Sequence, residues 1–107
     1  MSSRALVSLA VGLAVSGSAM SATQIEWWHA MGGANGEKVE EIAQAFNSAQ
    51  DLYEVKPVYK GNYTETMTSA IAAFRAKQQP AIVQVFEVGT ASMMAAEGAI
   101  YPVYKLM

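Results

Sequence analysis

Apolar and polar positions along the chain fall into alternating strand-like and helix-like stretches. Residues 23–29 (TQIEWWH) are rich in β-branched and aromatic side chains and lead into the breaker run 31–36 (MGGANG), which predicts a buried strand followed by a loop. From Glu37 to Ala49 the apolar positions Val39, Ile42, Ala43 and Phe46 recur at helical spacing, with Glu37, Lys38, Glu40, Glu41 and Gln44 on the other face, predicting an amphipathic helix. Residues 53–59 (YEVKPVY) alternate with period two. Pro57, lacking an N–H, favours an edge position for this second strand. Asn62 followed at the third helical position by Glu65 has the spacing of a capped helix start, and Met67, Ile71 and Phe74 repeat on one face of a second helix from Tyr63 to Lys77. Gln78-Gln79-Pro80 breaks it. Residues 81–86 (AIVQVF) then read as a nearly continuous apolar strand, buried on both faces and ending at Glu87. Gly89-Thr90 opens a short third helix from Ala91 to Ala96, stopped by Gly98.

Strand, helix, strand, helix, strand, helix with short connections predicts an α/β fold: a parallel βαβαβ sheet with right-handed crossovers and helices on both faces. Ligands of such sheets bind beyond the carboxyl ends of the strands. Three loops are thereby selected, His29 to Gly36, Lys60 to Thr64 and Glu87 to Thr90.

Composition changes this picture at one end. The chain has 107 residues, 52% of them hydrophobic, and no cysteine. Disulfides, thiolate metal sites, cysteine nucleophiles and a lipid-modified N-terminal cysteine are therefore excluded. Much of the apolar excess sits before the first strand. The single cation Arg4, the apolar run 5–15 (ALVSLAVGLAV) and the small, polar tail 16–22 (SGSAMSA) have the architecture of a secretory signal peptide over residues 1–21, with cleavage after Ser21. That apolar run falls short of the roughly 20 residues that span a bilayer. Export without a lipid-anchor cysteine points to a soluble protein of a Gram-negative periplasm. Seven Lys and Arg against nine Asp and Glu leave a net charge of −2 with the cations scattered, which argues against nucleic acid or an anionic membrane as partner.

The chemistry in the three loops is sparse. Gly32, Gly33 and Gly36 match neither a dinucleotide fingerprint nor a phosphate-binding P-loop, so a plain turn competes with an anion cradle. His29 is the only histidine. With no cysteine beside it no metal site is expected, and a hydrogen-bonded packing role outweighs an acid–base pairing with Glu87. Trp27 and Trp28 point to opposite faces of their strand, and Met93 and Met94 read as core filler. Tyr63 and Glu87 are the better candidates. In the first turn of a helix, the Tyr63 phenol can donate to an anion that the helix terminus already favours. A carboxylate at the end of an apolar strand is costly unless it accepts hydrogen bonds, as from ligand hydroxyls. A purely structural role for each residue stays open on the pattern alone.

Several stretches carry a resemblance: 25–31 (IEWWHAM), 36–46 (GEKVEEIAQAF), 59–63 (YKGNY), 70–75 (AIAAFR) and above all 80–90 (PAIVQVFEVGT). They resemble the N-terminal part of the extracellular solute-binding proteins of ABC importers (family 1), in the branch that captures sn-glycerol-3-phosphate. The resemblance implies a two-lobed type II periplasmic binding fold, of which residues 22–107 would be the incomplete start of lobe 1. It implies no catalysis and no cofactor. Its implied partners are a small ligand such as glycerol-3-phosphate or a glycerophosphodiester, an inner-membrane permease and its ATPase, with the full-length protein monomeric. It carries ligand contact onto Tyr63, near the phosphate, and onto Glu87, at the glycerol hydroxyls. Family chains are several times longer, so the chain reads as truncated in mid-lobe. Alone it is expected to be marginally stable and to bind weakly or not at all. A sugar or oligosaccharide carrier of the same fold, and a small periplasmic hydrolase using His29 and Glu87, are the alternatives.

Overall fold

A computed structural model describes residues 21–107 and, before them, Gly12 alone. Apart from Gly12 and Ser21, the signal segment read at 1–21 thus lies outside the described residues. Three parallel strands form one sheet in the order β2-β1-β3: β1 (Thr23–His29), β2 (Tyr53–Tyr59) and β3 (Ile82–Val83). Helices α1 (Gly33–Ala49), α2 (Tyr63–Arg75) and α3 (Glu87–Ala95) follow them in turn, and a short 3₁₀ turn covers Val103–Leu106. The α/β class and the parallel βαβαβ order agree with the sequence pattern. The first two strands have the predicted bounds, and β2 is an edge strand as Pro57 requires.

β1 pairs with β2 along its whole length, from Thr23 opposite Tyr53 to His29 opposite Tyr59. On its other side only Trp27 and Trp28 pair, with Ile82 and Val83. β1 and β2 are neighbours, whereas the chain must pass over β1 to reach β3. With right-handed crossovers this reversal puts α1 and α2 on opposite faces of the sheet. Trp28, Val39, Ala43, Ala70 and Met93 form the buried apolar core, with Thr66 fully buried among the polar residues. Half of the α1 stripe is uncovered: Val39 and Ala43 are buried, while Ile42 and Phe46 are 54% and 42% exposed.

Three element bounds depart from the sequence expectation. α1 starts at Gly33 instead of Glu37, because Gly32 is extended and the Gly36 N–H already donates to the Gly32 carbonyl at 3.2 Å. Glycines are tolerated there since the first-turn N–H groups need no intrahelical partner. Gly36 is also required, for a Cβ on it would come within 2.7 Å of the Met31 carbonyl oxygen. β3 holds two residues instead of six. The Gln84 N–H still donates to the Trp28 carbonyl, but its side-chain Oε1 then accepts from the Ala30 N–H, taking the place of the next ladder carbonyl. The strand is not buried on both faces either, as Ile82 is exposed. α3 begins at Glu87, not Ala91, because extended Phe86 places its carbonyl to accept from the Gly89 and Thr90 N–H groups.

α2 starts as its residues predict. The Asn62 side chain accepts from the Glu65 N–H at 2.8 Å, and the Glu65 carboxylate accepts from the Asn62 N–H at 3.3 Å. The helix ends two residues before Lys77, in a pair of nested bonds: Lys77 N–H to Phe74 O and Gln78 N–H to Ala73 O. Lys77 itself takes a left-handed φ of 57°.

Candidate functional site

The parallel register gathers the carboxyl ends of all three strands, and with them the amino ends of α1, α2 and α3, along one edge of the sheet. Tyr63 is the first residue of α2 and Glu87 the first of α3. Both are exposed. For Glu87 this corrects the premise drawn from an apolar strand end: the carboxylate stands in the first turn of a helix in contact with water. It therefore carries no burial cost there and is favoured by the helix dipole. Its freedom to accept hydrogen bonds is intact, since it makes none within the described residues.

Phe86 joins the two. Its ring stacks on the Tyr63 ring with centroids 5.4 Å apart and planes at 27°. Phe86 and Met67 also crowd Gly89, where a Cβ would approach Phe86 Cε1 and Met67 Sδ to 2.9 Å each. A buried glycine thus lets α3 approach α2 closely enough for the stack. Sequence periodicity does not single out Phe86, which reads as the last residue of an apolar run.

On the neighbouring strands, His29 is 2% exposed and its Nδ1 accepts from the Met31 N–H at 3.2 Å. Its ring lies against Trp27 and Tyr59, with centroids 6.2 and 5.9 Å away. Among the described residues no hydrogen bond links His29 to Glu87, and no group of three or more His, Asp and Glu converges as metal ligands. His29 is thus buried, with Nδ1 bonded to its own loop and its ring packed between aromatic neighbours. The Tyr59 hydroxyl lies near Gly32 at the start of α1. Trp28 is buried, donates through Nε1 to Glu26 at 3.0 Å, and carries the Lys60 ammonium 3.9 Å above its ring. Met93 is buried but Met94 is 73% exposed, so only the first of that pair fills the core.

Two shallow hollows lie elsewhere. One is lined by Ala22, Asn47, Gln50, Asp51, Tyr53 and Glu54, the other by Gln24, Glu26 and Gln79 through Ala81, both toward the amino ends of the strands. The edge holding Tyr63 and Glu87 is open surface, suited to one side of a cleft rather than to an enclosed cavity. No helix among the described residues is long and apolar enough to cross a membrane.

No protein-family model matches the chain. Curated relatives do. An sn-glycerol-3-phosphate-binding periplasmic protein UgpB of Rhizobium meliloti (strain 1021) is 55% identical over 89 residues, 83% of this chain and 21% of the relative. Proteins of the same name from Brucella abortus (strain 2308) and Agrobacterium fabrum are 51% and 52% identical, over 92% and 100% of this chain. The chain spans 21–24% of the length of these relatives. Identity at this level across nearly the whole chain makes it a homologue of the sn-glycerol-3-phosphate-binding periplasmic proteins over the segment it shares with them.

Proposed function

We propose that the chain forms part of the first lobe of a periplasmic substrate-binding protein that captures sn-glycerol-3-phosphate, or a glycerophosphodiester, and delivers it to an inner-membrane ABC permease and its ATPase. The observation that carries this reading is the 51–55% identity to relatives bearing that name. The fold supports it through the edge at which Tyr63 and Glu87 meet solvent side by side with the Tyr63–Phe86 stack. In this reading the Tyr63 phenol donates to the phosphate or its neighbourhood, and the Glu87 carboxylate accepts from the glycerol hydroxyls. Residues 22–107 serve as the binding segment, residues 1–21 direct export, and the ligand leaves unchanged.

The test is a chimera in which these 107 residues replace the matching segment of the Agrobacterium fabrum relative, an alignment that covers all of them. Calorimetry and thermal shift with glycerol-3-phosphate, a glycerophosphodiester, maltose and glycerol should give stabilisation by the phosphorylated ligands, about 2.7 kcal/mol at a hundredfold excess over Kd. A shift with maltose alone would reassign the segment to sugar capture. Turnover of a phosphodiester or glycoside would reassign it to hydrolysis.

A further inference from the structure

We infer that Phe86 is a positioning residue for ligand capture, setting the distance between the Tyr63 phenol and the Glu87 carboxylate; this rests on the function proposed above for those two groups. The parallel sheet brings the starts of their helices to one edge, but among the described residues no hydrogen bond ties the Tyr63 and Glu87 side chains together. Phe86 does so through two bonds of different kinds. It is covalently adjacent to Glu87 and serves as the extended residue before α3, and its ring lies in a near-parallel stack on Tyr63. The Phe86 ring also lies close against Gly89, where a Cβ would come within 2.9 Å of Phe86 Cε1 and of Met67 Sδ, so an added methyl there would displace the ring. Tyr63 is in turn held by the reciprocal Asn62–Glu65 cap. Each ligand-facing group is thus fixed in its own helix turn, and the stack is what relates one turn to the other.

The chemistry follows from that coupling. A ligand with a phosphate at one end and hydroxyls at the other engages both groups only when their spacing matches it. An anion too small to bridge them is indifferent to the spacing. Loosening a supporting contact by about 1 Å is enough to lose much of a preorganised site's benefit.

Two measurements on the chimera test this, one of them free of ligand. In the ligand-free protein, nuclear Overhauser contacts between the Tyr63 and Phe86 rings should be present and should persist in Phe86→Tyr. Their absence from the unmutated protein overturns the inference whatever the ligand proves to be. In binding, Phe86→Leu should weaken glycerol-3-phosphate by about tenfold or more while leaving inorganic phosphate within about twofold, and Phe86→Tyr should restore the parent affinity. Equal losses for both ligands, or no loss for either, would overturn it. Failure of the unmutated chimera to bind glycerol-3-phosphate overturns the proposed function and the inference with it, whereas missing ring contacts in a chimera that binds overturn the inference alone.

Discussion

Asn47 forms a two-way clamp on Val55: its Nδ2 donates to the Val55 carbonyl at 2.9 Å and its Oδ1 accepts from the Val55 N–H at 2.7 Å. A side chain near the end of α1 thereby satisfies both backbone groups of Val55 on the outer edge of β2, groups that an edge strand leaves open to pairing with another chain. Asn47→Ala should cost about 1–3 kcal/mol in stability, because it leaves a half-buried donor and acceptor unpaired. Hydrogen exchange would show the loss most directly as faster exchange of the Val55 amide, with the β1 amides little changed.

Lys77 offers the opposite sign. It occupies the left-handed position that ends α2, where a Cβ is unfavourable and glycine is the usual occupant. Lys77→Gly should raise stability by about 0.5–1 kcal/mol, as removing left-handed strain outweighs the added freedom of the unfolded chain. Chemical denaturation of the two proteins side by side checks it, and a lowered midpoint for the glycine variant would contradict the geometry.

Two glycines are expected to reject even one added methyl. Gly61 has a φ of 96°, and a Cβ there would meet the Glu65 carboxylate at 2.8 Å, spoiling the cap of α2. At Gly89 the Cβ would strike Phe86 and Met67. Each change to alanine should destabilise by about 1–3 kcal/mol. Gly61→Ala should speed exchange of the Glu65 amide, and Gly89→Ala should alter the Tyr63–Phe86 ring contacts.

The proposed ligand contacts are tested separately. In the chimera, Tyr63→Phe and Glu87→Gln should each weaken glycerol-3-phosphate binding by about 1–3 kcal/mol, the range for losing a hydrogen bond to a charged or polar partner. Both side chains are exposed, so folding stability should move little. Titration calorimetry gives the answer, and unchanged affinity in either variant removes that residue from the site.

The elements most legible in the sequence are those whose determinants lie within a few residues of one another. β1 and β2 are β-branched or aromatic runs closed off by turn formers, and α2 opens on Asn62 and Glu65 three residues apart. Two of the bounds that differ from the sequence expectation, those of β3 and α3, depend on distant partners. β3 is cut short because the Gln84 side chain takes up the Ala30 N–H, 54 residues away, a contact invisible to periodicity. The early start of α3 follows from the extended conformation of Phe86, packed against a ring from α2. Helix and strand position together with family resemblance point to Tyr63 and Glu87. The exposed setting of Glu87 and the aromatic stack beside it needed the tertiary arrangement.

The strand order has a bearing on how the chain is made. β1 lies at the centre of the sheet but comes first in sequence, and its two partners arrive at residues 53–59 and 82–83. In synthesis, or in passage across a membrane amino end first, the central strand emerges with both edges bare. It gains the first neighbour some thirty residues later and the second after about sixty. Its aromatic residues Trp27 and Trp28 thus lack strand neighbours over that interval, and late-paired parallel strands are prone to aggregate before they are covered.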